Sequence, residues 1–230
     1  PVDDSIYDVA GNEALGGGSF DSISLVDQTG PTAVPTITAI EVDTGKNDDY
    51  ITSDDKLTVK GEVTGLGLNE KVEVSNGGTW EKADVTGNSW KLDDLDTHTA
   101  TFTYDVRVTD DAGNVGANTA SQQVVIDTEG PEITAISIET DNSSVDIDFG
   151  EAVYSTDGGS GDLAKEDFKL KITGGVATVD ATPASISKSG TVYTLVLTLT
   201  GPVPNGLEVL TVEPVDDSIY DVAGNEALGG

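Results

Sequence analysis

The same seventeen residues, PVDDSIYDVAGNEALGG, occur at 1–17 and again at 214–230 without a single change. Chance does not produce such a match. It therefore indicates a tandem repeat with a period of 213 residues, the offset from Pro1 to Pro214. Repeats determine architecture, because each unit packs mainly against its neighbours. We therefore expect the chain to be a window cut from a longer array of near-identical units.

Short strand-like segments fill the sequence between the two copies of this repeat. Ten of them are rich in Val, Ile and Thr, and many alternate apolar with polar residues, as in KLTVKGEV, FTYDVRVT and FKLKIT. Clusters of Gly, Asn, Asp and Pro separate them, and this pattern is typical of an all-β chain built from β-sandwiches. Only DLAKEDF, at 162–168, has helical character, and we expect a single turn there.

Two similar phrases mark the domain boundaries. VDQTGP (26–31) and IDTEGP (126–131) stand 100 residues apart, and each leads into a matching strand, PTITAI or PEITAI. We therefore expect the loop and last strand of a preceding second domain at 1–27, a first domain at 28–129, and a second domain at 130–230. The second domain would lack its last strand. The first copy of the repeat shows that strand, Ser19–Val26 within GSFDSISLVD.

Two sets of motifs resemble known families. VDQTGP, TITAIEVDTG, KLTVKGEV, NSWKLDDL, VTDDAGN and VVIDTEGP resemble, in family order, the bacterial Ig-like repeats of giant surface adhesins of the Bap and RTX types. VDIDFGEAVYS, EDFKLKITGG, YTLVLTLTG, EVLTVEP and DVAGNEA resemble the S-layer-type bacterial Ig-like domain. The resemblance implies tandem Ig-like β-sandwiches joined end to end, in an extracellular stalk, adhesin, surface layer or filament. It implies no particular ligand.

The composition excludes several classes of function. The net charge of −31 argues against nucleic acid as a partner, because phosphate binding requires Lys and Arg. No apolar run of about 18 residues is present, so we expect no membrane insertion. Enzymatic signatures such as HExxH, GxSxG, a P-loop or a Cys nucleophile are missing from the sequence, and we expect no enzymatic activity.

The acidic residues cluster in loops that an Ig-like topology brings to the joints between domains. Such a topology places the end of each last strand beside the loop between the first two strands. The residues expected at the internal joint are Asp43, Asp48, Asp49, Asp127, Glu151, Asp216, Asp217, Asp221 and Asn225. Those expected at the other joint are Asp27, Asp110, Asp111 and Asn114.

Crowded carboxylates at a joint favour a bound cation. Their mutual repulsion costs several kcal/mol unless something neutralises it. Ca²⁺ takes six to eight oxygen ligands, whereas the lack of Cys and the single His argue against zinc or copper. Our hypothesis is that Ca²⁺ rigidifies the joints. The alternative is that these residues only initiate turns and solvate loops.

Three functions remain open at this point. The leading interpretation is a structural repeat of an adhesin stalk or surface filament, whose partners are neighbouring copies of the same repeat. The second is an adhesin module that binds a cell-surface glycan or protein. The third is a self-assembling subunit linked by strand donation. Trp90 is predicted to be a core aromatic, and His98, with no Cys or second His to partner it, is predicted to be a loop residue.

Overall fold

The computed structural model describes residues 7–13 and 24–228, and within these ranges the regular structure is almost entirely β. It contains seventeen strands and one short 3-10 turn, Lys165–Asp167. No helix in the described part of the chain has the length and apolar character needed to cross a bilayer. The all-β fold class predicted from the alternating segments is therefore confirmed.

Nine strands form the first sandwich. They are β1 (Val34–Glu41), β2 (Ile51–Thr52), β3 (Thr58–Thr64), β4 (Glu70–Ser75), β5 (Glu81–Lys82), β6 (Asp84–Thr86), β7 (Ser89–Asp93), β8 (Phe102–Asp110) and β9 (Val115–Ile126). One sheet has the order β1-β3-β7-β6 and the other has the order β2-β9-β8-β4-β5. All neighbours pair antiparallel except β2 and β9, which run parallel.

The core of the first sandwich comes from the inward face of both sheets. Val59 of β3 and Trp90 of β7 meet Val72 of β4 and Val106 of β8, and all four side chains are buried. The period-two alternation of strands places their apolar residues on this one face. Trp90 lies in the core as predicted, and its indole N–H donates to the carbonyl of Glu62 at 3.0 Å.

Eight strands form the second sandwich. They are β10 (Ala135–Ile138), β11 (Ser144–Asp148), β12 (Phe168–Thr173), β13 (Thr178–Val179), β14 (Ser185–Ser189), β15 (Val192–Val196), β16 (Leu199–Thr200) and β17 (Val209–Pro214). The larger sheet has the order β10-β11-β15-β14. Opposite it, β12 pairs with β17 as a two-stranded sheet, and β13 pairs with β16.

The second sandwich has a separate core. Ile147 of β11 and Tyr193 of β15 pack against Phe168 and Leu170 of β12. The sequence FKLKIT of β12 buries Phe168 and Leu170 and exposes Lys169 and Lys171, as its alternation predicts. Two independent hydrophobic clusters show that each half of the chain buries its own core.

Each of the ten segments predicted to be strands contains a strand, and the predicted helical turn is present as Lys165–Asp167. Six strands lie outside these segments and were missed, namely β2, β5, β6, β7, β13 and β14. The segment SISKS of β14 contains only one large apolar residue. Of the predicted strand Ser19–Val26, residues 19–23 lie outside the described residues, and Ser24–Val26 carry no regular secondary structure. That strand stays a prediction.

Candidate functional site

Three turns of sequence Asp-x-Ala-Gly-Asn, at 8–12, 110–114 and 221–225, share one set of hydrogen bonds. In each, the Asn backbone N–H donates to Oδ1 of the Asp four residues earlier, at 2.9, 2.8 and 2.9 Å. The Asn side-chain Nδ2 donates to Oδ2 of the same carboxylate at 2.9 Å in all three. The glycine has φ of 83°, 87° and 84°, a conformation that glycine adopts without steric cost.

Two of these turns, 110–114 and 221–225, also bind the segments 26–31 and 126–131, which we call the linkers. Asn114 Nδ2 donates to the carbonyl of Asp27 at 3.2 Å, and Asn225 Nδ2 donates to the carbonyl of Asp127 at 2.9 Å. In each linker the Asp carboxylate then accepts the backbone N–H two residues later, from Thr29 at 3.0 Å in one and from residue 129 at 3.3 Å in the other. The two linkers are therefore bound in the same way.

The glycine of each linker allows this approach. A Cβ on Gly30 would lie 2.5 Å from the carbonyl oxygen of Val115, and one on Gly130 would lie 2.0 Å from that of Glu226. Val115 and Glu226 each follow the Asn of a turn directly. The recurring phrases VDQTGP and IDTEGP thus have a physical cause, since only glycine lets the linker backbone lie against the turn.

A loop of the first sandwich lies on the turn of the second. Thr44 Oγ1 donates to the carbonyl of Ala223 at 2.7 Å, and Lys46 N–H donates to the carbonyl of Val222 at 3.0 Å. Between them, Gly45 has φ of 67°, and a Cβ there would lie 2.1 Å from the oxygen of Val222. At Gly45 the two backbones therefore lie directly against each other.

The same loop is fixed by Thr52, which is fully buried. Its hydroxyl donates to the carbonyl of Val42 at 2.9 Å and accepts the N–H of Thr44 at 3.2 Å. The carbonyl of Thr52 accepts the N–H of Asp127 at 2.9 Å. Thr52 therefore connects two segments. One is the loop that contacts the turn at 221–225, and the other is the linker at 126–131 that this turn binds.

Three acids lie together at this joint. Asp221 is 0% exposed, and both of its carboxylate oxygens accept hydrogen bonds from Asn225. Glu151 is half-buried, and burial, followed by repulsion from Asp221 and Asp127, raises its pKa above the ordinary value. Glu151, Asp127 and Asn225 line an open cleft of about 750 Å³.

Three other predicted residues form a second acidic group in the loop that follows β1. Burial, together with repulsion from Asp49, raises the pKa of the half-buried Asp43. Its Oδ2 accepts the N–H of Tyr50 at 3.4 Å, while its Oδ1 is buried without a hydrogen-bond partner. Asp49 accepts the N–H of Ile51 at 3.0 Å, and Asp48 is exposed with φ of 66°.

The remaining predicted residues are more exposed. Asp216 and Asp217 lie on the surface between β17 and the third turn, where Asp217 N–H donates to Glu226 Oε1. At the other joint, Asp27, Asp110 and Asp111 line one open cleft of about 700 Å³. Hydrogen bonds from Asn114, first of all from its side chain, hold the pKa of Asp110 below its usual value.

These acids do not form a complete metal-binding site in the described part of the chain. Across residues 7–13 and 24–228, no three or more His, Cys, Asp or Glu side chains are grouped so that they could hold a metal ion. The chemistry available at the joints is therefore a set of carboxylate and carbonyl oxygens, one of them the unpaired Oδ1 of Asp43.

Sequence reasoning missed a polar cluster around Asp94. His98 lies in a loop as predicted, but its Nε2 is 2.9 Å from Asp94 Oδ2, and its ring stacks on Phe102 with centroids 3.8 Å apart. Tyr104 donates to the same carboxylate at 2.7 Å. Burial opposes ionisation of Asp94, yet these hydrogen bonds lower its pKa. The only sequence signal was a Tyr within an alternating strand.

A second unpredicted cluster lies on the sheet β2-β9-β8-β4-β5 of the first sandwich. Arg107 is the single arginine of the chain, and its Nη2 and Nε contact Glu73 Oε2 at 2.8 and 2.9 Å. Its guanidinium stacks 4.0 Å from the ring centroid of Trp80, and Lys71 pairs with Glu73 at 2.7 Å. The cluster covers Trp80, the one partly exposed tryptophan, with this sandwich's own charged side chains.

Comparison with known proteins adds no family to this description. Neither a scan against models of protein families nor a search of curated proteins finds a match to the chain. A function must therefore be argued from the joints themselves.

Proposed function

We propose that the chain is a structural repeat of an extracellular adhesin stalk or surface filament, built from Ig-like sandwiches that follow one another end to end. Its task would be reach and stiffness, with neighbouring copies of the same repeat as partners. Such a task suits near-identical units, because the number of units sets the length and each interface can be reused.

The observation that carries this proposal is the repeated way in which a linker is held. Asn114 binds the carbonyl of Asp27 and Asn225 binds the carbonyl of Asp127, each from the same kind of turn. The turn at 221–225 also contacts Thr44 of the preceding sandwich. A stalk needs a connection of this kind, which fixes the angle between units and recurs at every joint.

We include Ca²⁺ in the proposal as the ion that stiffens the joint. The oxygen-rich donor set suits Ca²⁺. Burial, followed by repulsion from Asp221 and Asp127, raises the pKa of Glu151, and a bound cation would offset that repulsion. Asp43, whose Oδ1 is buried without a hydrogen-bond partner, lies in the loop that contacts the turn at 221–225 and is a further candidate ligand. Because no three acidic side chains in the described residues are grouped so that they could hold a metal ion, binding would draw side chains such as Glu151 and Asp127 closer together.

A thermal melt tests the calcium proposal. The chain is unfolded in EDTA, in millimolar Ca²⁺, and in millimolar Mg²⁺ at the same ionic strength. A ligand that binds only the folded state stabilises it by about 2.7 kcal/mol at 100 times its Kd. We expect Ca²⁺ alone to raise the melting temperature, and Glu151→Gln to reduce the rise.

The control variant is Glu139→Gln, which removes an equal charge from an exposed residue in the turn after β10. It should respond to Ca²⁺ as the unmodified chain does. An equal rise with Mg²⁺ would show that the cations only screen surface charge, and an unchanged melt in Ca²⁺ would remove the ion from the proposal.

A further inference from the structure

The dipeptide Asn-Gly occurs twice in the chain, as Asn76-Gly77 in the hairpin between β4 and β5 and as Asn205-Gly206 just before β17. Asparagine is one of the thermolabile residues of proteins, because a backbone nitrogen that attacks its side-chain amide expels ammonia. A following glycine favours this attack, since no side chain shields the glycine nitrogen. Both turns therefore start with the same chemistry, and any difference in reactivity comes from the fold.

The fold holds the side chain of Asn76 firmly. Its Nδ2 donates to Asp96 Oδ2 at 2.8 Å and to the two carboxylate oxygens of the buried Asp94 at 3.1 and 3.4 Å. The Gly77 N–H, which would have to react, donates to Ser75 Oγ at 3.2 Å. Loss of ammonia here would also place a third carboxylate beside two existing ones, and their repulsion opposes that product.

The side chain of Asn205 is held differently. Asn205, Gly206 and Leu207 are all exposed, and Asn205 Oδ1 accepts the Leu207 N–H at 3.1 Å. This hydrogen bond draws electrons from the side-chain carbonyl carbon and makes that carbon a better target for a nucleophile. In the part of the chain that the structure describes, no group accepts a hydrogen bond from Asn205 Nδ2. The amide that must leave as ammonia is therefore not retained by the protein.

The carboxylate of Glu208 restrains the backbone of this turn. Its Oε2 accepts the N–H groups of Asn205 and Gly206, each at 3.0 Å. Its Oε1 accepts the N–H groups of Val176 and Ala177, at 2.8 and 3.2 Å, from the segment between β12 and β13. The Gly206 N–H must leave Glu208 before its nitrogen can react, so the reaction at Asn205 is slowed rather than blocked.

We propose that Asn205 is a site of spontaneous deamidation in the folded protein, whereas Asn76 is protected. Hydroxide takes the proton of the Gly206 N–H, and the nitrogen then forms a bond to Cγ of Asn205. The bond from Cγ to Nδ2 breaks, and the amide group leaves as ammonia with a proton from water. Water then opens the cyclic imide at one of its two carbonyls, which gives aspartate or isoaspartate. This inference needs neither Ca²⁺ nor the stalk proposal.

The modification would loosen one end of the second sandwich. The new carboxylate at position 205 lies beside Glu208, and the two negative charges repel each other. That repulsion weakens the hydrogen bonds by which Glu208 holds Val176 and Ala177. The contact is close, since a Cβ on Gly175 would lie 2.1 Å from Cδ of Glu208. Deamidation is thus a one-way covalent change that opens the link between two loops.

The first measurement is peptide mapping by mass spectrometry of the full chain, kept folded at mildly alkaline pH and sampled over weeks. Asn205 should convert at least about tenfold faster than Asn76, because freeing Asn76 first breaks hydrogen bonds to two carboxylates. In urea that unfolds the chain, the two rates should converge, since the dipeptide is the same. Equal rates in the folded chain, or an Asn205 that converts only in urea, would overturn the proposal.

Asn205→Asp reproduces one product of the reaction and tests its consequence. It should speed hydrogen exchange at the backbone amides of Val176 and Ala177, which Glu208 holds. Asn205→Ser is the matched control, because it removes the reactive amide without adding a charge and should leave this exchange unchanged. Identical exchange in the two variants would show that the new carboxylate does not loosen the loops.

Discussion

The turns at 8–12 and 221–225 have the same sequence and the same internal hydrogen bonds, but different surroundings. Tyr7 and Glu13 form an isolated antiparallel β-bridge, and Tyr220 and Glu226 form the same bridge, so even the flanking residues correspond. Ala10 is exposed, whereas Ala223 is completely buried under Thr44 and Gly45 of the first sandwich. Local geometry therefore comes from the sequence, and burial comes from what the fold brings against it.

This pair is a natural control for measurements on the joint. A substitution made at one position of the repeat can be made at the identical position of the other copy. A cost that arises inside the exposed first copy stays local to residues 8–12 and leaves the unfolding of the two sandwiches unchanged. Any cost that arises from the contact between the sandwiches should appear only in the second copy.

The largest difference is expected at the glycine of the turn. Gly11 and Gly224 have nearly the same positive φ, so alanine strains both turns by about 1–2 kcal/mol. A Cβ at Gly11 meets nothing within 4 Å, whereas one at Gly224 would lie 2.9 Å from the carbonyl oxygen of Asp157 and from the N of Gly45. Gly224→Ala should cost about 2–4 kcal/mol of unfolding free energy in urea.

Gly11→Ala should leave the urea midpoint of the sandwiches unchanged, because the turn at 8–12 is exposed. Equal midpoints for the two variants would show that the contact between Gly224 and Gly45 contributes nothing to stability. The predicted difference between the two copies would then be absent at the position where it is expected to be largest.

A smaller difference is expected at the aspartate. Asp221→Ala removes two hydrogen bonds from Asn225 in a fully buried setting, and leaves the backbone N–H of Asn225 without its acceptor. The expected cost is about 2–3 kcal/mol, together with faster hydrogen exchange at the Asn225 amide. Asp8→Ala removes the same bonds at the surface and should not shift the melting temperature. A similar loss in both would place the whole effect inside the turn.

The smallest effect concerns pH. The raised pKa of Glu151 means that its ionised form destabilises the fold at neutral pH, and the penalty is lost as the pH falls through that raised pKa. Glu151→Gln in EDTA should therefore melt slightly higher than the unmodified chain at pH 7, with the gap closing as the pH approaches 4.5. The exposed Glu139→Gln should show no such gap. A gap that widens as the pH falls would show that the ionised form of Glu151 does not destabilise the fold.

Much of the fold was predictable because strands have a simple period. KLTVKGEV and FKLKIT bury every second residue, and both became strands with their apolar residues in a core. SISKS was missed because it lies on the outer edge of its sheet, beyond β15, and needs few apolar residues. Some neighbours, such as β8 and β9, pair across a turn that the sequence marks with glycine and asparagine, whereas pairs such as β4 and β8 join strands that are not consecutive in the chain.

The joint was only partly predictable. Proximity of Asp127 to Asn225 followed from topology, and the structure places Asn225 Nδ2 on the carbonyl of Asp127 rather than on its carboxylate. The roles of Gly45 and Thr52 were not visible, because a threonine and a glycine in a loop have no signature until a second backbone lies against them. The cluster of Asp94, His98 and Tyr104 was missed for the same reason.

The sequence by itself determined the all-β class, the position of most strands and the shape of the Asp-x-Ala-Gly-Asn turn. These depend on residues within a few positions of one another, where propensity and hydrogen bonding act directly. Only the tertiary structure decided that Asp221 is buried while Asp8 is exposed, and that, within the described residues, β8 pairs on both sides while β17 pairs with β12. Those outcomes depend on segments far apart in the chain, which are brought together only when the cores form.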